Sequence, residues 1–220
     1  MDQKLEKWLR WLKVVYGDIT QLLIKRDIFW KVQEIIKNNK SVQKPSPFYR
    51  YLGDTYVAYI TMGVRRHIEI DQKRRQSISF AHLLSEIVET PSLLSREYYK
   101  SVRKDKGLAD SEFNHFVGDI RDHISPSMVC NDLNLLKNTA EKVKVYADKI
   151  IAHRDKNKPK IPPTFDEVDE CLNVLDRLYV KYHQIFHGEG METAMPIYTY
   201  DWTEIFREPW LSSETEPYDY

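Results

Sequence analysis

The chain has 220 residues, 42% of them hydrophobic and 30% charged, with only seven glycines. That composition excludes fibrous and intrinsically disordered classes and leaves a helix-leaning globular protein long enough to bury a sizeable core. Lysine plus arginine equals aspartate plus glutamate at 33 each, so no overall field draws the chain to nucleic acid or membrane, and such binding must come from local patches.

Hydrophobic periodicity is helical almost throughout, with no convincing alternating strand. The first helix is expected over residues 2–38, with a bend near Gly17. Leu5, Trp8, Leu9, Leu12, Val15, Tyr16 and Ile19 form one apolar arc, read as an ordinary helix laid on a core. Lys4, Lys7, Arg10 and Lys13 interrupt any export leader. No apolar run approaches the eighteen or so residues of a membrane span. The expectation is therefore a cytoplasmic protein without a membrane partner. Cys130 and Cys171 have no CxxC spacing and read as two reduced core thiols.

After a proline-containing loop at 40–47, a second long helix is expected over 48–71. Its inward positions are Phe48, Leu52, Tyr56, Tyr59, Ile60, Gly63 and Ile70. A short helix at 79–89 stops at Thr90-Pro91, and weaker helical segments cover 92–103 and 111–123. Ser125-Pro126 is a helix-start signal, the serine capping a free N–H and the proline filling a position with no bond to lose. Val129, Leu133, Leu136, Ala140, Val143, Ala147 and Ile150 then recur at spacings of four and three, a seam against neighbouring helices. Pro159, Pro162 and Pro163 force a loop. Thr164 to Glu167 reads as a capping box opening a helix that ends near His187, where Gly188 stops it. The fold expected is all-α: a bundle of about four long helices with short helical inserts over 1–188. An acidic, aromatic tail over 189–220 is packed on the bundle or free for a partner.

Three clusters carry chemistry. His183 and His187 are one helical turn apart and, with Glu189, form a weak metal motif. No metal or other cofactor is expected. Arg65, Arg66, Lys73, Arg74 and Arg75 form the densest basic stretch, suited either to phosphate or to a solvated helix face balanced by Glu69 and Asp71. At 146–155 the run Tyr-Ala-Asp-Lys-Ile-Ile-Ala-His-Arg-Asp places Lys149 and His153 four residues apart near a helix C-terminus. The dipole there favours a cationic imidazole, and Arg154 beside it would suit an anion. Cations are also common in a last helical turn for that reason alone.

Ala147-Asp-Lys-Ile-Ile-Ala-His-Arg-Asp155 resembles the C-terminal motif of HEPN domains (higher eukaryotes and prokaryotes nucleotide-binding), in the branch found in abortive-infection proteins of the U type. Arg66-His-Ile-Glu-Ile-Asp71, the following Ser77-Ile-Ser-Phe-Ala-His-Leu-Leu84 and the helix order are similar too. The resemblance covers most of residues 1–188. It implies a helical bundle that dimerises with its motifs facing each other, and a metal-independent endoribonuclease chemistry. In that chemistry a histidine assists proton transfer from the ribose 2′-hydroxyl and an arginine four to six residues earlier steadies the phosphate. His153 and Asp148 then stand as the catalytic pair, with Asp148 orienting the imidazole or satisfying a nearby cation. Lys149, Arg154, Arg66 and Arg65 contact RNA phosphate.

The chain departs from the family at the arginine: positions 147 to 149 are Ala, Asp and Lys. Its loss removes about 3–4 kcal/mol of transition-state stabilisation unless Lys149, Arg154 or Arg66 replaces it. The resemblance therefore implies a homodimer of the prokaryotic defence type, acting on RNA or partnered by an antitoxin or other defence protein. The alternative is a catalytically silent dimeric interaction module whose tail, with Trp202 and Trp210, recruits a partner.

Overall fold

The computed structural model describes residues 2–210 except 71–76, 118–120, 154, 157–158 and 160. Seven α-helices follow in chain order: α1 Gln3–Asn38, α2 Pro47–Ile68, α3 Phe80–Glu89, α4 Arg96–Val102, α5 Ala109–Val117, α6 Pro126–Tyr146 and α7 Phe165–His187. The described residues form no strand, only an isolated antiparallel bridge between Ser95 and His123. Lys73 to Arg75, part of the expected basic stretch, lie outside the described residues.

Side chains close most helix starts, as the turn chemistry dictates. The Asp2 carboxylate accepts the Lys4 N–H at 2.7 Å, and Ser79 accepts that of His82 at 3.0 Å. At α7 the capping box is complete: Thr164 Oγ1 accepts the Glu167 N–H at 3.2 Å, and Glu167 returns a carboxylate to the Thr164 N–H at 2.7 Å. Gly188 ends α7 at φ 64, a left-handed position natural to glycine. Ser125 differs from the expectation. Pro126 does open α6, but the Ser125 hydroxyl pairs with that of Ser127 at 2.7 Å and caps no backbone N–H.

Helix α6 is central, packed against α2, α3 and α7, while α1 lies along α2 and α7. The α1 arc is buried at Leu5, Trp8, Leu12, Val15 and Ile19, and α1 runs past Gly17 without interruption. The α6 seam is buried at Val129, Leu136, Ala140 and Val143, continuing into Ala147. Gly63 lets α2 approach α1, since a Cβ there would lie 2.4 Å from Leu22 Cδ2.

Two inward assignments on α2 are corrected: Phe48 is 47% exposed and Tyr59 43%. No residue of α1 beyond Leu23 and none of α2 before Tyr56 is buried. The two helices extend together past the core, and their apolar faces there meet each other, Phe165 at the start of α7 and the tail. The chain beyond α7 is tied back by Thr20 Oγ1, which donates to the Ala194 carbonyl at 3.0 Å. Asp176 accepts from Thr193 Oγ1 and from the Ala194 N–H. A 3₁₀ turn over Trp202–Phe206 follows, and Trp210 rests near Val42 and Phe48. Among the described residues no helix is long and apolar enough to cross a membrane.

Candidate functional site

The motif segment does not continue α6 as an α-helix. Ala147–Ala152 winds as a π-helical turn, and His153 leaves it in extended conformation at φ −135, ψ 150. Such turns are uncommon and recur at functional sites. Because His153 is extended and lies outside the turn, its four-residue spacing from Lys149 does not place the two on one helical face. Ala147, where the family motif would allow its arginine, is fully buried; a guanidinium there would have to displace core packing.

Helix α2 lies against this turn and brings Arg65 to it. Arg65 Nε donates to Asp148 Oδ1, and Arg65 Nη1 lies 3.3 Å from Glu69, one turn along α2. Lys144, four residues before Asp148, donates to its other carboxylate oxygen at 3.3 Å. Asp148 thus accepts bonds from two cations. Partial burial works against its charge, but the bonds from Arg65 and Lys144 prevail and hold the carboxyl below its ordinary range. The Asp148 bond in turn raises the Arg65 guanidinium above its usual value.

His153 is exposed, and its imidazole makes no hydrogen bond or ion pair with a described residue. Lys149 is half-buried, its ammonium likewise in no ion pair with a described residue, while its carbonyl accepts the Asp155 N–H at 3.0 Å. Arg154 lies outside the described residues. Arg66 points away from the motif and pairs with Asp18 on α1 at 3.0 Å. The structure thus gathers Asp148, Arg65, Lys144 and Lys149 around one turn with His153 at its exit, and assigns Arg66 to the α1–α2 contact.

Sequence reasoning missed Lys144, although its i−4 spacing from Asp148 is a legible ion-pair signal. Asp18 and the fully buried His67 carried no such signal. Burial pushes the His67 imidazole down to about 4, with Asp18 opposing and Arg66 assisting. Among the described residues both its ring nitrogens lack hydrogen-bond partners, and Asp18 Oδ2 is 3.9 Å from Nε2.

The histidine pair at the end of α7 has its ring centres 4.7 Å apart. His183 Nδ1 lies 3.2 Å from the Glu189 carbonyl, however, and the Glu189 carboxylate is held by Lys104. No group of three metal-ligating side chains occurs among the described residues.

Residues 5–208 match the family model HEPN_AbiU2, described as AbiU2. The match takes in the bundle, the Asp148–His153 turn and most of the tail that the motifs alone left unaccounted for. No curated protein and no solved structure matches the chain.

Proposed function

Because the chain belongs to the AbiU2 branch of the HEPN superfamily, an abortive-infection family, we propose that it is a homodimeric defence protein acting on RNA at the turn that carries His153. On this reading the His153 imidazole takes the ribose 2′-hydroxyl proton, and Arg65 serves in place of the absent motif arginine. The observation that carries it is the convergence of Arg65 from α2 on the motif turn, which the exposed His153 follows. Two of the five guanidinium N–H donors face Asp148 and Glu69. The others remain for a phosphate oxygen, and the Asp148 anchor means the cation need not be ordered as charge develops. Lys149 adds a second cation for the backbone.

A second reading, a silent dimeric module, is favoured by one specific fact: Asp148 engages Arg65 and Lys144 and not His153. There the ion pair is a joint between α2 and α6 with no chemistry above it.

Cleavage of unstructured RNA by purified protein, beside His153→Ala and Arg65→Ala with and without chelator, separates the two. The enzyme reading expects each variant to lose about a hundredfold in rate or more and chelator to change nothing. Equal cleavage by wild type and His153→Ala ends that reading and leaves the module.

A further inference from the structure

Where α1 and α2 outrun the core, a groove between them is lined by Lys25, Ile28, Phe29, Tyr51, Leu52 and Tyr59. Its floor is built: Phe29 and Tyr56 stack with ring centres 3.9 Å apart and planes 2° apart. Its rim is open, with Tyr51 63% and Tyr59 43% exposed. Lys25 Nζ stands 4.3 Å from the centre of the Tyr59 ring.

The charge of this end is unlike that of the whole. Between Lys25 and Asp54 there are seven lysines and arginines against three acids, an excess of +4 in a chain whose charges cancel. Lys37, Lys40, Lys44 and Arg50 are exposed and in no ion pair with described residues. A second copy seated here would set this excess against itself, a like-charge contact that disfavours assembly. The exposed Tyr51 and Tyr59 rings, with Lys25 in the groove, Arg50 next to Tyr51 in sequence and the local positive excess around them, instead suit a ligand that is aromatic and anionic at once, which is unpaired nucleic acid.

We infer that this groove is a stacking platform for unpaired RNA bases. The inference rests on the RNA reading above and adds a binding surface to it. Tyr51, Thr55, Tyr59, Met62 and Arg66 recur along α2 at spacings of four and three, one face of the helix. From Tyr51 to Arg66 that face runs about 22 Å. Arg65, the next residue back, holds the motif turn. Tyr51 and Tyr59 stack bases, while Lys25 and Arg50 meet the phosphates.

The test is fluorescence anisotropy of a labelled, unstructured twelve-nucleotide RNA with wild type, Tyr51→Ala/Tyr59→Ala, Tyr51→Phe/Tyr59→Phe and Lys25→Gln. Sedimentation and circular dichroism are run on each. The platform predicts at least tenfold weaker binding for the alanine pair, recovery with the phenylalanine pair, and a smaller loss for Lys25→Gln, all with helicity unchanged. Wild-type binding matched by the alanine pair overturns the platform and leaves the RNA reading standing. No binding by wild type at low salt overturns both. A change of oligomeric state in the alanine pair with RNA binding intact makes the groove a contact between copies and also overturns it.

Discussion

Arg65 and Asp148 are 83 positions apart in sequence, yet their side chains bond where α2 meets the π-helical turn. The pair is only partly shielded, the two side chains being 26% and 30% exposed. Its contribution to stability is therefore modest, about 1 kcal/mol. A double-mutant cycle with Arg65→Met and Asp148→Asn, followed by urea unfolding, should show a coupling of about that size. Strict additivity would mean that the two side chains do not meet in solution.

His67 makes the protein acid-sensitive. Its folded value is depressed, about 4 against an ordinary 6.5. The unfolded chain therefore takes up the proton first, and the stability conferred by a neutral His67 is complete above about pH 6.5 and lost as pH falls toward 4. The full difference approaches about 3 kcal/mol, reduced to the extent that Asp18, the carboxylate facing the ring, moves to receive the new charge. Urea midpoints at pH 7 and 4.5 should separate more for wild type than for His67→Leu. Parallel pH profiles would remove His67 as the origin.

Gly188 and Gly17 predict opposite outcomes for the same substitution. At Gly188, φ is 64 and a Cβ would lie 2.7 Å from the Arg103 Cα and N, backbone atoms that cannot rotate aside. Gly188→Ala should cost about 2–4 kcal/mol. Gly17 lies inside α1 with open space around it, so Gly17→Ala should stabilise by about 0.5–1 kcal/mol. Thermal unfolding of both variants checks the contrast. A neutral Gly188→Ala would be incompatible with the observed close of α7.

Glu86 holds the amino end of α1 to α3. Its carboxylate accepts the indole N–H of the fully buried Trp8 at 2.8 Å and an N–H of Lys7 at 2.7 Å. Glu86→Leu leaves the Trp8 donor buried without an acceptor and should cost about 1–3 kcal/mol. Glu86→Gln keeps an acceptor and should cost less. Equal losses in denaturant titration would show that the charge, and not the indole bond, is what matters.

Local interactions decided much of this fold before any tertiary contact. The Thr164–Glu167 box, the left-handed Gly188, the α1 stripe from Leu5 to Ile19 and the α6 seam depend on residues within a few positions of one another. Caps and a 3.6-residue period are therefore readable in order along the chain. The family was legible for the same reason, since the Ala147–Asp155 motif is contiguous.

Only the tertiary structure decided the rest. Arg65 and Arg66 are neighbours, but successive helical positions face different ways, so one meets Asp148 on the motif turn and the other Asp18 on α1. Phe48 and Tyr59 read as inward by period, yet period gives a face and not what covers it: Phe48 precedes the first buried residue of α2, and Tyr59 turns out of the face that buries Tyr56 and Ile60 on either side of it. His153 leaves the 147–152 turn in extended conformation, which removes the shared face that a helical count assigns to Lys149 and His153. Sequence spacing determines which side chains share a face; the packing of helices distant in the chain determines what that face meets.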